Sequence, residues 1–330
     1  LVVKHCLFTY NQALETGGAL LISQALSTKI SNLLFFHNKA HKSGGAISAY
    51  QINIIHLLDT VFIKNEIRQN KTNCIFDDAE RILLSTGGSV FIRNQKEGNS
   101  SWAILINCKF AKNIADYGGA MSFINMAYII NKNCSFICNQ AKCAAGVLYT
   151  DHSNTVFNME TIFQNNSVTQ GFEMLGVFEQ QLSGGAILTM TTNIIRNDKC
   201  LFIKNSCKSG GGSLAITEGY KVENIRSSFL YNMATTAGVI DLYNTTTIIT
   251  IQCYFFGNRA VLYGGVLLLE KCKFLFIKNS FFIMNNATED SSSCGGALYL
   301  YHAKLFIENT VIKLNSAVGL DSQGWGGAID

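Results

Sequence analysis

Asp77, Asp78 and Arg81 form the densest group of residues in this 330-residue chain whose types suit catalysis. Paired carboxylates flanking a glycosidic bond can divide general-acid and general-base work between them, and an adjacent cation can hold an acidic sugar. On that chemistry the trio stands for a secreted polysaccharide lyase or glycoside hydrolase. A lyase also needs a calcium-binding set of oxygens and a base, and no acidic cluster recurs along the chain to supply one. The same stretch, with Glu80 and the run Ile82-Leu83-Leu84, reads equally as a short capped helix. A non-catalytic protein is therefore the expectation, with the polysaccharide-degrading enzyme as the alternative. Six histidines are scattered, and only Asp151-His152 and the pair His37 and His41 lie close together. No ligand triad at metal spacing accompanies them, so neither a metal nor a cofactor is implied.

Eleven cysteines are an odd number, so at least one is free or paired outside this chain. Cys6, Cys108, Cys134, Cys200 and Cys253 each stand two residues before a recurrent Phe. They are expected to face inward as buried thiols, because stacked side chains in a parallel ladder rarely meet the dihedral a disulfide demands. Cys138 and Cys143 are placed to bridge one another near a bend. Acceptor sequons for glycosylation occur at Asn70, Asn99, Asn133, Asn165, Asn244 and Asn286. Asn70 and Asn286 read as insertion residues, where a glycan has room, whereas Asn133 precedes an inward Cys.

The elements that must position these groups are set by an internal repeat. A Gly pair followed by small and then branched residues recurs, for example at Gly44-Gly45, Gly118-Gly119 and Gly211-Gly212, alternating with Phe-x-x-Asn at Phe62/Asn65, Phe136/Asn139 and Phe229/Asn232. The distance from the first Gly-pair position to the next Phe is 18 residues in eight of ten copies. Each unit of about 27 residues holds three short runs of alternating apolar residues and no helical period. Such a unit cannot bury a face alone, so its strands must pair in parallel with their equivalents in the next unit. The expected fold is all-β, a right-handed parallel β-helix: a three-faced solenoid of eleven coils, on the order of 50 Å long at the usual strand spacing. The Gly pair suits a bend that needs positive φ or close backbone approach. Phe is expected to stack with its copies, and Asn to adopt the left-handed conformation and to hydrogen-bond along the axis. Proline is absent, which suits strands that donate every N–H and also fits biased genome composition.

The pairing of GGA[ILV] with F-x-x-N resembles the polymorphic outer-membrane protein repeat of chlamydial surface proteins, also present in surface proteins of some protists. Here GGAL (17 to 20), GGAI (44 to 47, 184 to 187, 326 to 329) and GGAM (118 to 121) carry it, with FHNKA (36 to 40), FAKNIA (110 to 115) and FICNQA (136 to 141). The likeness covers essentially the whole chain. It implies a β-helical ectodomain or passenger segment in adhesion, extracellular or on a cell surface, with a protein or glycan as partner. Pectate lyases and polygalacturonases share this fold, but the His-containing and Arg-Lys motifs of polygalacturonases are missing here.

Function is expected where the repeat is interrupted. Asn65 is 22 residues from the next Gly pair and Asn166 is 18, against 5 or 6 in most coils, which marks insertions at 66–86 and 167–183 leaving the same corner. The second carries Phe172, Met174, Leu175 and Phe178, an apolar group that either covers the adjacent sheet or binds a partner. A net charge of +4 with 15% charged residues, and no basic stripe, argues against nucleic acid. No run of about 18 apolar residues exists, so no membrane-spanning helix is expected within 1–330. The chain reads as one β-helix domain cut from a longer protein, with targeting and membrane attachment outside it; a passive spacer is the remaining alternative.

Overall fold

The computed structural model describes residues 1–68, 74, 85–95, 101–170, 183–288, 293–318 and 324–330. These form an all-β solenoid, and every pair of neighbouring strands runs parallel. Each coil carries four strands. In the second coil they are Ile47–Tyr50, Ile54–Leu58, Val61–Ile63 and Glu66–Ile67. Their equivalents stack into a first sheet of ten strands, a second of eleven, a third of eleven and a fourth of ten. The fourth is the addition to the three expected runs. Its strands are two residues long in several coils, too short to show an alternating pattern in sequence. Glu66–Ile67 and Ser167–Val168 belong to that sheet, so the two insertions begin later than 66 and 167.

Alternation decides what is buried. Ile47 and Ala49 of the first sheet, Ile55 and Leu57 of the second and Phe62 of the third all point inward and are fully buried. Phe8, Phe35, Phe62, Phe110, Phe136, Phe163, Phe202, Phe229, Phe255 and Phe282 form one continuous stack with centroids 4.5 to 5.1 Å apart. Strand spacing imposes that separation, which is also a favourable stacking distance.

The Asn of each Phe-x-x-Asn makes an unbroken ladder from Asn11 to Asn315. Asn65 Nδ2 donates to Asn113 Oδ1 at 3.2 Å, Asn139 Nδ2 to Asn166 Oδ1 at 3.1 Å and Asn232 Nδ2 to Asn258 Oδ1 at 3.0 Å. The second amide hydrogen reaches the Phe carbonyl of the coil below, as Asn139 Nδ2 does to Phe110 O at 3.0 Å. Asn is required because this position needs two donors and an acceptor on a short stem. The left-handed residue, however, is the one before it: Lys64 at φ 54, Cys138 at φ 55 and Tyr231 at φ 54. The expectation that Asn itself takes that conformation is corrected. Single left-handed residues also make the other bends, at Asp59, Asn107 and Lys199 between second and third sheets and at Gln51 and Asn125 between first and second.

The Gly pair has two separate reasons. Gly44 and Gly118 have φ of 58 and 61, the region where a Cβ is strained, whereas Gly211 has no such φ. The second glycine answers to neighbouring coils: a Cβ on Gly45 would sit 2.1 Å from Gly88 O, and one on Gly119 would sit 2.4 Å from Gly146 O.

Two buried polar columns run inside. Asn131, Asn158, Asn197 and Asn224 are linked at 2.8 to 2.9 Å by amide donors, a ladder with no counterpart in the sequence reading although Asn recurs at the fourth position of four successive second-sheet strands. Cys108, Cys134, Cys200 and Cys253 are buried free thiols as expected, and Cys200 and Cys253 donate to Asn158 O and Asn224 O of the coil below, both at 3.2 Å. Thr161 and Ser227 make the same bond from the same position, so the column selects a small S–H or O–H donor. Burial pushes the thiols of Cys200 and Cys253 up to about 12, which leaves them unreactive. Cys6 departs from the expectation: it is exposed, and its Sγ donates to Lys4 O at 3.1 Å.

Candidate functional site

Asp77, Asp78, Arg81, Phe172, Met174, Leu175, Phe178 and the sequon Asn70 lie outside the described residues. The corner from which both insertions leave is described, and its ties are tertiary. Cys74, inside the first insertion, forms a disulfide with Cys143 on the fourth-sheet strand Gln140–Ala144, two coils further along the axis. The expected Cys138–Cys143 bridge is thereby overturned, and Cys138 is a free thiol. Cys138 is the left-handed residue of the bend before that strand and Cys143 lies near the strand's far end, whereas the insertion brings Cys74 to Cys143 from outside. Both bridged residues are buried, against Tyr117, Tyr149, Leu188 and Ala215. Cys74 Sγ also lies 3.9 Å from Gln170 Oε1, and Gln170 immediately precedes the second insertion, so the bridge brings the first insertion to the base of the second.

This packing explains why outward positions of the first sheet are covered. The segment before the Gly44-Gly45 pair reaches them, where the Ser43 carbonyl accepts from Ser48 Oγ at 2.8 Å. Asp241 occupies one such covered position. Thr236 Oγ1 donates to its Oδ2 at 2.6 Å, Oδ1 has no hydrogen-bond partner among the described residues, and burial pushes its carboxyl up to about 7.

No described residue covers the outward faces of the second and third sheets, which are rich in apolar side chains. On the second sheet Ile54, Trp102, Ile104, Tyr128, Ile130 and Phe157 point outward over four coils, half-buried by one another, with Trp102 and Tyr128 stacked at 4.1 Å. A charged band follows in which Arg226 Nη2 meets Asp198 Oδ2 at 2.8 Å and Lys221 Nζ meets Glu223 Oε1 at 2.7 Å. Beyond it the face is apolar again, with Ile249, Ile251 and Phe276 pointing outward and Phe276 stacked on Phe306 at 4.8 Å. The third sheet adds Tyr254, Phe281 and Val311, all exposed.

The remaining sequence candidates separate. His152 Nδ1 lies 2.8 Å from Asp151 Oδ1, which also accepts from Thr191 Oγ1, and His37 stacks on the Tyr10 ring at 5.1 Å. Burial, then the nearby Lys64 and Lys39, lowers the His37 pKa. Among the described residues no group of three or more His, Cys, Asp or Glu is placed to hold a metal ion. Asn286 is a half-buried strand residue whose Oδ1 accepts from Ser316 Oγ at 2.9 Å, not an insertion residue. Asn133, doubted as a glycan acceptor, is exposed at a bend with its amide donating to Asn107 Oδ1 at 2.8 Å. A third insertion also went unseen: eight residues separate strands Val90–Arg93 and Trp102–Ile106, where most coils have three. Its signal was the Gly87-to-Phe110 spacing of 23 in place of 18.

Stacked four-strand coils around Phe and Asn columns, with apolar outward faces, define a parallel β-helix. Residues 32–50, which hold Phe35, Asn38, Gly44 and Gly45, match the family described as the Chlamydia polymorphic membrane protein (Chlamydia_PMP) repeat, and the same Phe, Asn and Gly-pair positions recur in the other coils. No curated protein and no solved structure matches the chain. Among the described residues no helix is long and apolar enough to cross a membrane.

Proposed function

We propose that this chain is a non-catalytic rod of a cell-surface ectodomain, in a bacterial outer membrane or a plasma membrane, and that it binds a protein or glycan partner. The observation that carries the reading is the pair of outward apolar faces, above all the interior patch where Trp102 stacks on Tyr128, with Phe276 on Phe306 further along. Soluble monomers rarely leave contiguous apolar patches of that extent uncovered, and a passive spacer has no use for one. Two further features support it. The Cys74–Cys143 disulfide suits an oxidising compartment. The outward carboxylates of the charged band, Asp198 and Glu223, are each held by a cation, which leaves neither free for acid–base work.

The test is adhesion of beads coated with the purified rod to cells, comparing the parent with a Phe276→Lys/Phe306→Lys double variant and with a chain lacking 171–182. Binding that drops several-fold in at least one of them supports the reading. Binding unchanged in both, or absent from the parent, counts against it. Release of reducing ends from polygalacturonate, lost in Asp77→Ala and Asp78→Ala, would establish the enzyme in its place.

A further inference from the structure

The connection between the first and second sheets is longer in the third coil, and a cleft lies beside its start. Elsewhere the bend turns on one left-handed residue, such as Gln51 or Asn125. After Arg93 the chain takes eight residues to reach Trp102, and a cleft of about 460 Å³ opens, lined by Tyr50, Gln51, Arg93, Asn94, Gln95 and Asn125. That volume lies in the range of small-molecule sites.

The wall is fastened and the lining groups are left available. Buried Asn94 spends its side chain on the coil below, accepting from Ile52 N at 2.8 Å and donating to Ile52 O at 3.0 Å. Asn125 Nδ2 donates to Asn94 O at 2.9 Å, which orients its Oδ1. Tyr50 is anchored by its hydroxyl at Ser43 Oγ, 3.2 Å away. Arg93 ends its strand in register with Tyr50 below and Ile124 above, so neither rung offers a carboxylate. It is exposed and has no ion-pair partner among the described residues. The second-sheet strand that follows begins with Trp102, stacked on Tyr128.

One guanidinium among carboxamides suits one kind of ligand. A planar guanidinium binds a carboxylate through two parallel hydrogen bonds. Gln51, Gln95 and Asn125 carry carboxamides, which donate and accept at once, as sugar hydroxyls do. Among the described lining residues Arg93 is the one cation, which fits a monocarboxylate better than a polyphosphate.

We propose that this cleft binds a carboxylated saccharide residue, of the uronic- or sialic-acid type, with its carboxylate on Arg93 and its hydroxyls on the surrounding carboxamides. The assignment rests on the surface-binding reading above and names a ligand class for it. The experiment is calorimetric titration of the full chain with glucuronic acid, N-acetylneuraminic acid and glucose. Saturable binding of at least one acid, at least tenfold tighter than glucose and weakened at least tenfold in Arg93→Gln, is expected; which acid binds distinguishes the two sources. Asn125→Asp, which sets a carboxylate against the ligand's, should weaken it similarly, while Arg259→Gln on a distant coil should leave it unchanged. Thermal unfolding of each variant shows that the rod is intact. No saturable binding of either acid, equal binding of glucose, or parent-like binding by Arg93→Gln overturns the assignment. Cell adhesion measured on the same preparations reports separately on the surface-rod reading, which stands if adhesion persists without acid binding.

Discussion

Replacing Asn166 by Ala removes the middle of the Asn ladder and isolates its energetics. Its Nδ2 donates to Asn205 Oδ1 at 3.0 Å and to Phe136 O at 3.0 Å, and its Oδ1 accepts from Asn139 N at 2.9 Å and Asn139 Nδ2 at 3.1 Å. At about 1 kcal/mol for each of these four bonds, and more wherever a buried partner finds no substitute, the loss is roughly 4 to 6 kcal/mol. The end of the ladder supplies the control. Asn11 is exposed and its side chain donates once, to Asn38 Oδ1 at 2.9 Å, so Asn11→Ala should cost below about 1 kcal/mol because water replaces that bond. Urea unfolding followed by circular dichroism reads both as shifts in midpoint at constant slope. A cost for Asn166→Ala of about 1 kcal/mol or less, or one equal to that of Asn11→Ala, would refute the claim that the ladder holds neighbouring coils together.

Gly185→Ala places a Cβ 2.0 Å from Gly212 O, a backbone atom that cannot move without displacing the next coil. It should cost about 3 kcal/mol or more, measured by the same unfolding; a cost within error of zero would show that the coils can separate at this corner. Alkylation in denaturant without reductant should modify the nine cysteines outside the disulfide, and all eleven after reduction, as read by intact mass. Eleven in both conditions would remove the Cys74–Cys143 tie. Asp241 has its folded pKa raised to about 7 from 3.8, so the folded state holds a proton that the unfolded state releases, and stability should fall as pH rises from about 4 to 7. Asp241→Asn should flatten that slope and stabilise the rod above pH 7, by at most roughly 4 kcal/mol; an unchanged thermal-stability profile between pH 4 and 8 would contradict it.

The repeat was legible because its causes are local and recur. Phe62, Phe136 and Phe229 stack, and Asn65, Asn139 and Asn232 form a ladder, because equal spacing along the chain becomes vertical alignment once coils pair in parallel. What sequence could not reveal depends on which coils meet and what surrounds them. Lys64 is left-handed because its N–H must reach Ala111 O at 3.0 Å, a backbone demand indifferent to side-chain type and hence without a residue signature. The disulfide partner of Cys143 was hidden because Cys74 sits 69 residues away in an insertion, and only the folded path brings the two within bonding distance. Arg93 looks like any solvated strand residue until its rungs, Tyr50 and Ile124, show that neither strand neighbour sets a carboxylate against it. Periodicity determined the solenoid, since burying an alternating strand leaves one solution. Departures from periodicity, where the disulfide and the cleft lie, were decided only by tertiary structure, because contacts between unlike segments have no repeat to announce them.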